Sequence, residues 1–83
     1  MTKKERSFID AMKRVRGIDF ARIGMMVEFD GHVGTIEGIT ESATLLVRPA
    51  NQLRFGKRTM RLHPTYNIRY FSEHGEVLKD YPE

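Results

Sequence analysis

The sequence predicts a mainly β domain, α+β by content: an N-terminal helix followed by a five- to six-stranded antiparallel barrel. Three observations carry this. Apolar residues follow a helical period up to Gly17 and an alternating period after it. Five or six short alternating runs then fall within about sixty residues, separated by turns bearing Gly, Pro or Asp. A chain of 83 residues is one domain, and closing so small a sheet removes its exposed edges.

The helix is read from Phe8, Ile9, Met12 and Val15, which form one apolar stripe at helical spacing. Thr2 or Ser7 could cap it, Glu5 stands where a capping box with Thr2 needs it, and Gly17 is a stop signal. Its other face carries Lys3, Lys4, Arg6, Lys13, Arg14 and Arg16, and the basic last turn suits the helix dipole. Helix and connector occupy residues 1–22, the barrel 23–79, and a frayed tail 80–83.

Within the barrel, Met25, Val27 and Phe29 share one face of the first strand. Asp30-Gly31 is a hairpin signal, because both central residues of the favoured turn need positive φ. Val33 to Thr40 return, with Gly34 and Gly38 marking bulges or bends. Thr44 to Arg48 form a third strand that ends at Pro49. Residues 50–58 read either as a loop or as a short strand around Leu53-Phe55. Met60 and Leu62 point inward from a strand over 59–63. Pro64 to Asn67 form a tight turn or a single 3₁₀ turn into a strand over 67–71, and Ser72 to Gly75 turn the chain into a last strand over 76–79.

Composition narrows the functional classes. The chain has no cysteine, which excludes disulfides, thiolate metal sites and thiol nucleophiles. No apolar run reaches the ~18–20 residues of a membrane span, and no signal-peptide pattern follows the basic start. The expected compartment is the cytoplasm, with no membrane partner. Net charge is only +3, but it alternates along the chain. Residues 1–22 carry +4, 23–47 carry −4, 48–70 carry +6 with no acidic residue, and 71–83 carry −3.

The run from Ile23 through Met25-Met26-Val27-Glu28-Phe29-Asp30-Gly31-His32-Val33-Gly34-Thr35-Ile36 to Ile39 resembles the opening hairpin of a Src-homology-3-like barrel. It is similar to the KOW motif of ribosomal and transcription-elongation proteins, and Gly34-Thr35-Ile36 resembles the Gly-Thr-Ile/Val turn of CAP-Gly domains. His63-Pro64 ahead of Ile68-Arg69-Tyr70 looks like the 3₁₀ turn before the last strand of such barrels. The likeness spans residues 22–79 as an architecture and 17 residues as a motif. The Gly-Lys-Asn-Asp-Gly signature of CAP-Gly domains is absent, so their peptide-binding role is not implied. The chain as a whole resembles small proteins encoded by phages and prophages. The barrel resemblance implies a binding module, with RNA or DNA as the expected ligand.

The acid-free segment supplies the candidate surface. If the apolar residues of its strands face inward, Arg48, Arg61 and Arg69 face outward as a stripe, crowned by Arg54, Lys57 and Arg58 from a loop. Phe55 or Tyr66 would stack bases. A cationic groove with aromatics is what a phosphate backbone and its bases require. The competing reading pairs these arginines with Glu28, Glu37 or Glu76 across strands. No catalytic residues are expected: Ser7, Ser42 and Ser72 lack a nucleophile elbow, and Asp30, Glu37, Glu41 and Glu73 form no acid–base pair. His32, His63 and His74 have no metal-ligand spacing, so neither a metal nor a cofactor is expected. The alternative function is a protein-interaction module, monomeric or weakly homodimeric, using Met26, Leu46, Phe55, Phe71 and Leu78.

Overall fold

In the computed structural model, which describes residues 2–82, Thr2 caps helix α1 (Lys3–Arg16). The Thr2 hydroxyl accepts from the Glu5 N–H at 3.1 Å, and the Glu5 carboxylate accepts from the Thr2 N–H at 3.3 Å. This is the reciprocal box the sequence predicts. Hydrogen bonds from the Thr2 hydroxyl, then from its backbone, hold the Glu5 carboxyl below its ordinary range. Gly17 closes the helix at φ 68°, where a side chain is disfavoured. Phe8 and Met12 are buried and Ile9 packs beside them, but Val15 is 53% exposed. The last turn docks through Arg16 instead, whose guanidinium donates to Ala43 O at 3.3 Å and Ser42 O at 3.1 Å.

Six antiparallel strands follow: β1 (Met26–Phe29), β2 (His32–Ile39), β3 (Leu45–Pro49), β4 (Met60–Leu62), β5 (Ile68–Phe71) and β6 (Val77–Tyr81). They form one sheet in the order β4-β3-β2-β1-β5-β6. Asp30 at φ 49° and Gly31 at φ 77° make the tight β1–β2 turn. Alternation sends Val27, Phe29, Ile36, Leu45, Val47, Ile68 and Tyr70 into one core with Phe8 and Met12. Met60 and Leu62 from β4 and Tyr81 from β6 pack against the same core, so all six strands turn one face to one centre.

The sheet is open, and the barrel expected from sequence is not closed by a ladder: β4 and β6 are its two edges. It nevertheless curls. Four ladder steps separate β4 from β5, or about 19 Å in a flat sheet. The five residues His63–Asn67 join them, a link reaching about 20 Å only when fully extended. That link contains a turn, with Pro64 buried and Asn67 at φ 51°. The chain can cross only if the two strands approach.

Three further expectations need correction. Residues 50–58 form neither a plain loop nor a strand: Gln52–Phe55 make one helical turn, α2, capped by Asn51, whose Oδ1 accepts from the Arg54 N–H at 3.2 Å. Pro64-Thr65 is a tight turn, one of the two forms the sequence allows, and not the 3₁₀ turn of the barrel resemblance. The tail does not fray at residue 80. Asp80 and Tyr81 belong to β6, paired with Arg69 and Ile68, and the Tyr81 ring meets Tyr70 edge-on at 6.1 Å. Glu83 lies outside the described residues.

Two bulges break the ladders. Glu37 is the extra residue of β2 against β3, and Leu78 the extra residue of β6 against β5. A bulge takes its residue out of alternation and re-aims the side chain. Both matter below.

Tyr70 ties the crossing link to the core. It is fully buried, and its hydroxyl donates to Pro64 O at 2.7 Å. Burial pushes its phenol above the ordinary value, nearby Tyr81 adds to this, and Arg16 opposes it. The fold thus favours the neutral phenol. That contribution is present in full below the unfolded value of about 10 and is lost as pH rises above it. Tyr70→Phe is expected to cost about 1–3 kcal/mol at neutral pH, because Pro64 O loses its donor. The variant should also show a shallower loss of urea resistance above pH ~10. An alkaline limb as steep as the parent's would mean that another group controls it.

Candidate nucleic-acid interface

The predicted arginine stripe divides into two unlike regions. Arg69, on β5, sits between carboxylates: its guanidinium lies 3.1 Å from Glu28 on β1 and 3.4 Å from Asp80 on β6. Its charge is more than cancelled locally. Arg48, on β3, is three ladder steps away, about 14 Å in a flat sheet. It too is ion-paired, with Glu37, which the β2 bulge turns toward it. For these two arginines the structure gives the competing reading: cross-strand pairs rather than an open stripe.

Arg48 has a second task. It donates to Lys57 O at 2.8 Å, fastening the α2–β4 loop against β3. Asn51 caps α2 and Gly56, at φ 82°, leads out of it. Phe55 anchors the same segment from below. Its half-buried ring lies 5.9 Å from Phe29 and 4.9 Å from His32, and the Arg54 guanidinium stands 5.6 Å from its centroid. This ring, offered by the sequence for base stacking, thus packs on Phe29 and His32 and meets Arg54. Tyr66 is 58% exposed, but it lies in the β4–β5 link, outside the basic loop.

What the fold does gather along one edge is Arg54 on α2, Lys57 and Arg58 on the loop after it, and Arg61 on the adjoining β4. All four are exposed. Among the described residues none of them forms an ion pair with a carboxylate. Arg61 shares a shallow depression with Glu41 and Thr44. It stands opposite Leu46 of β3 in the ladder. Leu46 in turn lines a cleft where α1 meets β2 and β3, with Lys4 and Arg48 also on its walls. Lys4 thus joins the basic region from the helix, while Arg14 is held near Asp10 and Arg16 is spent on the β2–β3 loop. The sequence could flag Leu46, an apolar residue out of phase with Leu45 and Val47. It could not place Lys4 beside it.

The remaining candidates scatter. His32 packs on Phe55, His63 accepts from the Thr65 N–H at 3.1 Å through Nδ1, and His74 lies 3.6 Å from Glu73. Among the described residues, no three His, Asp or Glu side chains gather as a cation site, and no helix is long and apolar enough to cross a membrane. Of the apolar residues in the alternative reading, Met26, Phe71 and Leu78 do meet. They line a second groove with Ile23 and Met25, where the β6 bulge presents Leu78. Leu46 and Phe55 lie elsewhere. Comparison with protein-family models, curated proteins and solved structures finds no match to this chain.

Proposed function

We propose that the chain is a non-catalytic, nucleic-acid-binding accessory module whose contact surface is the edge formed by α2, its following loop and β4. The observation that carries this reading is the set of four exposed cations, Arg54, Lys57, Arg58 and Arg61, none ion-paired among the described residues. Exposed side chains of this kind are free to replace counterions along a phosphate backbone. Three of the four are arginines, whose planar forks suit phosphate oxygens. Arg48 serves this surface as the clamp on the loop, and Arg69 and Tyr66 leave the footprint. The Src-homology-3-like, KOW-like reading of the β1–β2 hairpin belongs to the same proposal. It rests on the Asp30-Gly31 turn and the curled six-stranded sheet.

Fluorescence anisotropy with labelled single-stranded DNA, RNA and duplex tests it. With four phosphate contacts, affinity is expected to fall about 50- to 150-fold between 50 and 200 mM salt. Binding that is flat across this range, or absent at low salt, sinks the reading. A second reading rests on the groove of Met26, Phe71 and Leu78: a protein-interaction module or weak homodimer. It expects association that changes little with salt, because the contact is apolar.

A further inference from the structure

We propose that the cleft between α1 and the β2–β3 hairpin receives one unstacked base of a single-stranded nucleic acid whose phosphates cross the basic loop. This rests on the nucleic-acid reading above and specifies its ligand. The cleft measures about 470 Å³, within the range of small-molecule sites. Phe8, Ile23, Ile39 and Leu46 give it an apolar floor, while Lys4 and Arg48 stand on its walls. Leu46 is half-buried yet takes no part in the hydrophobic core, so its apolar surface serves the cleft. A base is flat and apolar on its faces, polar at its edge and attached to an anion. The cleft offers each a partner: the floor for the faces, the hydroxyls of Ser7 and Thr59 and the carboxylate of Glu37 for the edge, and Lys4 and Arg48 for the phosphate. Arg48 spends two hydrogen bonds on Glu37 and Lys57 and keeps further N–H donors for an anion.

The cleft is continuous with the cationic edge. Arg61 is the ladder partner of Leu46, and Arg48 both lines the cleft and holds Lys57. A strand lying over Lys57, Arg58 and Arg61 therefore passes the cleft mouth. A duplex keeps its bases paired and stacked and has none to insert, so the site favours single strands.

Gly38 leaves this space open. No positive φ calls for glycine there, and a Cβ would meet only Lys4 Cε, at 3.8 Å. Gly38→Val therefore puts bulk into the cleft without changing charge. The experiment compares the parent, Gly38→Val and Leu46→Ser by anisotropy, using a short single-stranded oligonucleotide, as DNA and as RNA. A duplex and an abasic strand of equal phosphate number complete the set. The parent is expected to bind the base-bearing strand about tenfold more tightly than the abasic strand. Both variants should lose that difference while keeping their duplex affinity and salt slope. Leu46→Ser removes cleft surface without hollowing the core, so it covers the case in which Gly38→Val misfolds. If the parent binds abasic and base-bearing strands equally, or if both variants keep the tenfold difference, the cleft is not a base site. The loop reading would survive that result provided binding remained salt-sensitive. Loss of all salt-sensitive binding would remove both.

Discussion

Gly34→Ala is expected to lower the melting temperature by about 10–20 °C, a large effect for one methyl group. Gly34 is buried on the inner face of β2 and has no unusual φ, so backbone freedom is not the reason for glycine. Space is. A Cβ there would lie 2.6 Å from Val47 Cγ1 and 2.8 Å from Arg48 O. Val47 is fully buried and β-branched, with little rotamer freedom to yield. Arg48 O belongs to the backbone of β3, so relief requires the two strands to move apart. Overpacking of this kind costs about 1–3 kcal/mol, here at the upper end, against a total stability of about 4–12 kcal/mol for a domain of this length. Gly38→Ala is the matched control: its Cβ meets nothing closer than 3.8 Å, and its melting temperature should stay within a few degrees of the parent's. Equal melting temperatures for the two variants would contradict this account of β2–β3 packing.

Reversing charge at Arg58 and Arg61 together is expected to weaken nucleic-acid binding about hundredfold at low salt and to reduce the salt slope by about two. Both side chains are exposed, so the fold should tolerate the change. Arg69→Gln provides the contrast. Its guanidinium already answers Glu28 and Asp80, and removing it should leave affinity within about twofold while costing a little stability. Titrations of both proteins at low salt compare the affinities, and a salt series gives the slopes. An Arg69→Gln protein as impaired as the double reversal would extend the footprint across the sheet to β5 and overturn the assignment.

Much of the fold is legible because its signals are local. Thr2, Glu5 and Gly17 mark α1 through hydrogen bonds that span only a few residues. Asp30-Gly31 marks a turn whose two central residues both have positive φ. Strand alternation survives because each strand has one face on the core. Val15 misleads because the end of α1 docks through Arg16 rather than through its apolar stripe. The turn α2 is too short to show a period, and Tyr81 joins the core only because β6 runs two residues further than its alternation indicates. The site is less legible. Whether an arginine is free depends on strand order, and Glu28 and Arg69 are 41 residues apart in sequence. The acid-free run 48–70 therefore leaves open which of its arginines are free, and the ladder spends Arg69 beside β1 and Arg48 beside the β2 bulge.

An open sheet presents two rows of unpaired amides, and such rows template the growth of further strands, the route to fibrils. This sheet defends both rows differently. β4 is three residues long, with Arg61 at its centre and the cationic loop beside it. Approach of a second copy there is opposed by like charge. β6 is longer, but the bulge at Leu78 interrupts its regular edge and Lys79 follows immediately. The cations proposed to meet phosphate thus also act as gatekeepers against self-templated aggregation, and a polyanion that neutralises them lifts that protection from the β4 side.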